Sequence, residues 1–315
     1  MNIANDQTQC IAAIDIGSNS CLLEIGQMKK GRLVLLNHRK EAIRLGSGLD
    51  SQAALSQEAM ERGWQCLESF AQLLGDLPRH QVRAVATQTL REASNREAFL
   101  QKAEYILGCP VEVINGEEEA RLIYCGVAQS LRPSMEPRLV VDIGGRSTEL
   151  SLGRGHNVLH AYSVPVGSVS WAKRYFADGG LSAIQLEEAQ TAAERAIAPY
   201  QEFLKRQHWR HAYGASGTAG TLAKVLAAQG QRAGWITRYG LNQLHAELLI
   251  AGHVDNMHLN GLREELRPLI GGAVSAMRAV FHTLEIERMH VAPGSLRHGV
   301  LFDLAKRLWP AGHPE

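Results

Sequence analysis

Two short segments carry the residue types that hold a phosphate chain. Asp15-Ile16-Gly17-Ser18-Asn19-Ser20 and Asp142-Ile143-Gly144-Gly145-Arg146-Ser147 each set an aspartate in an apolar run and follow it with a small polar loop. Glycine lets a backbone approach a ligand closely, and successive N–H groups in such turns form anion-binding nests. The hydroxyls of Ser18, Ser20 and Ser147 and the amide of Asn19 add donors, and Arg146 adds a full positive charge. Read singly, either loop is equally well a tight hairpin turn. Two copies shift the balance, because a carboxylate among Ile and Val is costly unless it is paired or bound to a metal. Asp15 and Asp142 are therefore expected to hold Mg2+, directly or through water, beside the phosphates.

A third anion site is expected at Gly214-Ala215-Ser216-Gly217-Thr218. It reads as a strand-to-helix turn, where the orphan N–H groups of a helix N-terminus favour an anion. No G-x-x-x-x-G-K-[ST] run occurs, which argues against P-loop ATPase chemistry. Asn115-Gly116-Glu117-Glu118-Glu119 opens a helix, and acidic residues in a first turn commonly serve the macrodipole. With Asn115 as N-cap, Glu118 can close a capping box. Glu119 is then left without a local task and suits a general base for water attacking phosphorus, with Glu149 its partner near the metal. Arg91 follows a strand end, where α/β proteins place ligand contacts, and can stabilise a transferring phosphoryl group. The competing reading makes it an ordinary surface arginine. The thirteen histidines show no H-E-x-x-H spacing, and His208 and His211 read as solvated.

The loops need strands on both sides. Cys10 to Ile16 and Cys21 to Ile25 form the first hairpin, and Arg32 to Leu36 is a third strand. A helix follows from Ser56 to Leu74, where Met60, Trp64, Leu67, Phe70 and Leu74 repeat at helical spacing. Arg83 to Ala86 and Val111 to Ile114 are strands, and Asn95 to Leu107 is a helix. The order then begins again at Leu139 to Ile143, with Thr148 to Leu152 and His156 to Val166 as the next strands. A long helix follows, with Ser182 and Gln185 spaced as a capping box. Its apolar stripe is Leu186, Ala189, Ala193, Ile197, Tyr200 and Leu204. A strand ends at Tyr213, a helix runs from Thr218 to Ala228, Met289 to Ala292 is a strand, and Leu296 to Leu308 is the last helix. This is an internal duplication of an α/β domain. The expected division is 1–126 plus 296–315 against 127–295, with the final helix returning to the first domain and a cleft between the two.

Composition sets the class. The 315 residues carry 33 Lys+Arg and 32 Asp+Glu, a formal charge of +1, which argues against a globally basic binder of nucleic-acid duplexes. The five cysteines are scattered and odd in number, so they read as reduced thiols. No apolar run approaches a membrane span, and Met1 to Gln9 is too short and polar for a signal peptide. A cytoplasmic location is expected, with a homodimer as the default assembly.

Taken together, the motifs resemble the exopolyphosphatase/guanosine pentaphosphate phosphatase (Ppx/GppA) family. The matching stretches run in family order: Ala13 to Ser20, Arg44 to Leu49, Ala86 to Ala93, Gly116 to Tyr124, Val141 to Leu150, and Gly214 to Thr218. The resemblance implies duplicated ribonuclease H-like domains of the actin-like ATPase fold. It implies Mg2+-dependent hydrolysis of a polyphosphate or guanosine polyphosphate, a catalytic Glu119, and roles for Arg91, Asp142, Glu149 and both loops. Three departures stand out. Arg146 replaces a third glycine and is strained if its φ is positive. Gly294-Ser295-Leu296-Arg297-His298-Gly299 follows a G-L-R-E-G pattern only in part. Longer members carry further helical domains, so binding of long polyphosphate is in question. A weakly catalytic sensor of the same ligands is the competing class, and a sugar or acetate kinase of the same fold a third.

Overall fold

The computed structural model describes residues 10–29 and 32–310. The readings of 1–9 as a polar start and of 311–315 as part of the first domain lie outside them. The described chain divides into two units: unit 1 runs to Gly126 and resumes at Leu296, and unit 2 is Val127–Ser295.

In unit 1, Cys10–Ile16 (β1), Ser20–Lys29 (β2) and Arg32–Ala42 (β3) form an antiparallel meander. Val82–Ala86 (β4) and Val111–Val113 (β5) add in parallel on the other side of β1, so the order is β3-β2-β1-β4-β5. Residues Ala12, Ile14 and Ile16 enter the core, which places Asp15 on the opposite sheet face. β3 continues past the expected Leu36 to Ala42. Its polar second half has no strand signature of its own, but pairing with β2 satisfies its backbone and the exposed edge accepts its charges. The helices are Gln57–Leu74 (α1), Gln88–Glu92 (α2), Arg96–Leu107 (α3) and Gly116–Ser130 (α4). All five expected apolar positions of α1 are buried, and Ser56 Oγ caps it by accepting the Ala59 N–H at 3.2 Å. Cys21, Cys66, Cys109 and Cys125 are buried thiols that pack as small apolar side chains.

Unit 2 repeats the plan. Pro137–Ile143 (β6), Thr148–Arg154 (β7), Asn157–Val164 (β8) and His211–Ala215 (β9) take the places of β1 to β4. Trp235–Thr237 (β10) and Arg288–Val291 (β11) complete the order β10-β11-β9-β6-β7-β8. The same spacing separates Asp15 from Asp142, Cys21 from Thr148, and Gly26 from Gly153. A register shift falls at Ile25/Gly26 in one sheet and at Leu152/Gly153 in the other. A shared bulge at a shared glycine marks the two sheets as copies. β10, an added antiparallel edge, was not expected; three residues are too few to show periodicity.

Helices Ser168–Tyr175 (α5), Ala183–Lys205 (α6), Ser216–Ala228 (α7), Arg238–Ala251 (α8) and Ile270–Thr283 (α9) complete unit 2. The α6 capping box is present: Ser182 Oγ accepts the Gln185 N–H at 3.3 Å, and Gln185 Oε1 accepts the Ser182 N–H at 3.1 Å. Leu186, Ala189, Ala193, Ile197 and Leu204 of its stripe are fully buried, and Tyr200 packs half-buried against Tyr162. No described helix is long and apolar enough to cross a membrane.

Leu296–Leu308 (α10) packs on β1, β2 and β4 of unit 1. Asp303 accepts from Arg83 at 2.8 Å and from Arg121 at 2.9 Å, and Arg297 donates to the buried Glu24 at 2.6 Å. Arg83 is itself buried and is also held by Glu112 at 2.8 Å, so its charge is matched where water is scarce. Gly299, retained from the partial family motif, lets the backbones of α10 and α4 touch. A Cβ there would lie 1.8 Å from the Leu122 carbonyl oxygen. Gly299→Ala should lower the unfolding free energy by roughly 1–3 kcal/mol or more, read from the urea midpoint. An unchanged midpoint would contradict this packing.

Candidate active site

Both hairpin loops close in the same way. Gly17 N–H donates to Ser20 O at 3.1 Å, and Gly144 N–H to Ser147 O at 2.8 Å. A Cβ at Gly17 would meet that serine oxygen at 3.0 Å, and one at Gly144 would meet its counterpart at 3.2 Å. Close approach therefore selects glycine here, and not a positive φ, since neither lies in the left-handed region. The loop carbonyls are taken up by the scaffold. Ser18 O and Asn19 O accept from the N–H groups of Gly46 (2.7 Å) and Arg44 (3.0 Å). Gly144 O accepts from Ser168 N–H at 3.0 Å, and Gly145 O from Val169 and Ser170 at 2.8 and 3.0 Å. These bonds hold each loop to one shape on its scaffold.

The strain considered for Arg146 does not arise, because its φ lies outside the left-handed region. The crowding is met instead by Gly167, where a Cβ would fall 2.3 Å from the Arg146 backbone nitrogen. In the first loop, Thr89 Oγ1 donates to the buried Ser18 Oγ at 2.8 Å.

In unit 1 the structure brings Arg91 and Glu119 together. Arg91 lies on α2, the short helix directly after β4, and donates from one terminal nitrogen to Glu119 Oε2 and to Ile114 O, both at 2.7 Å. Its Nε donates to Gln88 Oε1 at 3.0 Å. Arg91 is therefore no ordinary surface arginine. Gln88 belongs to no motif, and its only sequence signal is its place three residues before Arg91 on one helix face. On α4, Asn115 Oδ1 accepts the Glu118 N–H at 2.8 Å, which is half of the expected box. The Glu118 carboxylate goes instead to Arg121, at 2.7 and 2.8 Å. Glu119 is only 7% exposed, and its desolvation is offset by the guanidinium.

In unit 2, Asp142 and Glu149 face each other across β6 and β7. Leu139, Val141 and Ile143 turn into the core, so both carboxylates share the other face, where both are buried. Ser163 Oγ donates to Glu149 Oε1 at 2.8 Å, and Ser216 Oγ to Asp142 Oδ1. Burial pushes the Asp142 carboxyl up to about 6, against the lowering effect of the Ser216 hydroxyl. Ser163 had no sequence signal beyond its place on the strand beside Glu149.

The turn expected at Gly214 to Thr218 is shorter than its glycines suggest. β9 passes straight into α7, which begins at Ser216, and Ser216 itself takes the left-handed conformation at φ 62°. Such a φ costs a non-glycine residue about 1–2 kcal/mol. The conformation places the hydroxyl on Asp142. Gly217 and Thr218 fall in the first turn of α7, whereas Gly214 serves packing: a Cβ there would lie 2.8 Å from Ala219 Cβ and from Met289 Sδ.

Asp15 occupies the position of Asp142 but faces Leu22 where Asp142 faces Glu149. The described residues hold no cluster of three or more His, Cys, Asp or Glu able to bind a metal. A buried pair is still the donor set that Mg2+ uses when waters and phosphate oxygens complete its shell. Asp142 and Glu149 fit that ion.

Two copies of a β3-β2-β1-β4-β5 sheet define a duplicated ribonuclease H-like protein of the actin-like ATPase fold. The chain matches the Ppx/GppA phosphatase family over residues 24–308, and it belongs to that family. The structure of the Aquifex aeolicus Ppx-GppA enzyme is 26% identical, with a TM-score of 0.78 over 94% of this chain and 99% of that one. An exopolyphosphatase from Cytophaga hutchinsonii shares the fold at 24% identity, with a TM-score of 0.84 over 95% and 98% of the two chains.

Because the folded-state pKa of Asp142 is raised, the folded protein binds an extra proton between about pH 4 and 6. The contribution of Asp142 to stability thus falls as pH rises through that window and stays unfavourable above it. Without divalent cations at pH 8, Asp142→Asn should therefore stabilise the protein by up to roughly 3 kcal/mol, with the gain gone below about pH 4. Thermal unfolding across that range checks this, and a less stable variant at pH 8 would show the carboxylate to be compensated.

Proposed function

We propose that this chain is a Mg2+-dependent phosphoanhydride hydrolase that releases terminal orthophosphate from inorganic polyphosphate. Guanosine pentaphosphate, which presents the same reacting end, is the second substrate. The observation that carries this reading is the part-buried Arg91–Glu119 ion pair, within a chain of a phosphatase family.

Glu119 takes a proton from water as its oxygen attacks the terminal phosphorus. The bond from phosphorus to the bridging oxygen breaks in line, and the shortened chain leaves on that oxygen. Arg91 acts through Glu119: its contacts with Gln88 and Ile114 fix the guanidinium, which in turn orients the carboxylate. Asp142 and Glu149 hold the metal, with Asp15 assigned to the same task. When bound, Mg2+ supplies positive charge to the phosphate oxygens. The loop N–H groups, Ser18, Asn19 and Ser147, with the start of α7, receive the remaining oxygens.

Orthophosphate release from polyphosphates of graded length and from guanosine pentaphosphate, with and without Mg2+, tests the assignment. Glu119→Gln should lower kcat by about 10²–10⁴-fold and change KM little. Wild-type turnover in that variant would remove Glu119 from the chemistry. Tight binding of either ligand without phosphate release would make the chain a sensor.

A further inference from the structure

The open end of the unit 2 sheet carries side chains that the hydrolytic reading does not use. Tyr213 on β9 pairs with His290 on β11, and His290 pairs with Trp235 on β10. These three therefore form one rank across adjacent strands, on one face. Their rings are in contact, with centroids 5.9 Å apart for Tyr213–His290 and 3.4 Å for Trp235–His290. Two residues before each ring on β9 and β11 stand His211 and Arg288, on the same face by strand alternation. Arg232, from the segment between α7 and β10, joins them. The guanidinium carbons of Arg232 and Arg288 lie 5.0 and 5.6 Å from the Trp235 ring centroid.

The rings are half-buried, whereas His211, Arg232 and Arg288 are exposed. Neighbouring acids are already engaged: Glu136 lies 3.5 Å from His211, and Glu287 pairs with Arg238 at 3.0 Å. Among the described ion pairs, none includes Arg232 or Arg288. The local field is positive enough that His211, Arg232 and Arg288 join burial in lowering the His290 pKa. In a chain of net charge +1, this is a local surplus beside half-buried rings.

We propose that this face binds single-stranded nucleic acid, with bases stacking on the aromatic rank and phosphates lying along the cationic one. A single nucleotide needs one ring and one cluster of donors. Here three rings lie side by side with centroids 5.9 and 3.4 Å apart, and the two guanidinium groups flank the Trp235 end of that row at 5.0 and 5.6 Å. A chain that alternates bases and phosphates matches both ranks, and stacking plus backbone charge is how single strands are held without sequence readout. A bare phosphate chain has no use for the rings, and duplex hides the base faces.

Fluorescence anisotropy of the full chain with a labelled mixed-sequence RNA dodecamer tests this at 50 and 200 mM salt. Trp235→Ala and Tyr213→Ala should each weaken binding about 5- to 100-fold, with Trp235→Phe recovering most of the loss. Arg232→Gln and Arg288→Gln should each reduce the salt slope by about 0.7. Circular dichroism and unfolding midpoints of the variants separate lost binding from lost fold. No binding at 50 mM salt would overturn the proposal. So would equal affinity for duplex, indifference to the ring substitutions in folded variants, or binding of polyphosphate or a guanosine nucleotide alone on these residues.

Discussion

A carboxylate on a strand between aliphatic neighbours must be compensated, and much of unit 2 is arranged around that requirement at Asp142. The sheet buries it from both sides along β6, so its charge cannot be left to water. Ser216 answers from the end of β9, and does so only by adopting a left-handed backbone that serine ordinarily avoids. Glu149 across the hairpin adds a second negative charge where an apolar residue would have been cheaper. The two buried acids are answered by hydroxyls, Asp142 by the strained Ser216 and Glu149 by Ser163.

Unit 1 meets the same problem differently. At the position of Glu149 it has Leu22, and Asp15 stays partly exposed on its strand. Of its buried acids, Glu119 lies on the helix after β5, and the compensation comes from within the protein as Arg91. The duplicated backbone thus carries two unlike solutions: a carboxylate paired with a fixed guanidinium, and a carboxylate pair answered by two serine hydroxyls. The shared scaffold ensures that both loops close alike. Division of labour between the copies comes from a few side chains at matched positions.

Local features were legible where the reason for them was local. The two hairpins follow from glycines placed between apolar runs, and the α6 capping box from a Ser and a Gln three apart. The α1 stripe and the last helix were equally plain. Less legible were segments whose structure is imposed by neighbours. The second half of β3 is a strand because β2 pairs with it, and Ser216, the first residue of α7, meets Asp142 from a distant strand. Glycines misled at the Gly214 to Thr218 turn, where the residue at positive φ is the serine and Gly214 serves packing.

The sequence by itself determined the duplication, the two loops and the acidic residues that could do chemistry, because turn geometry and strand alternation act over a few neighbours. Tertiary structure alone decided which charges meet. Arg91 finds Glu119 across one helix and one strand, and Asp303 comes back from the last helix to Arg83 and Arg121. It also ranked Tyr213, His290 and Trp235 side by side from three separate strands. Such pairings depend on register and packing between distant segments, which no local pattern encodes.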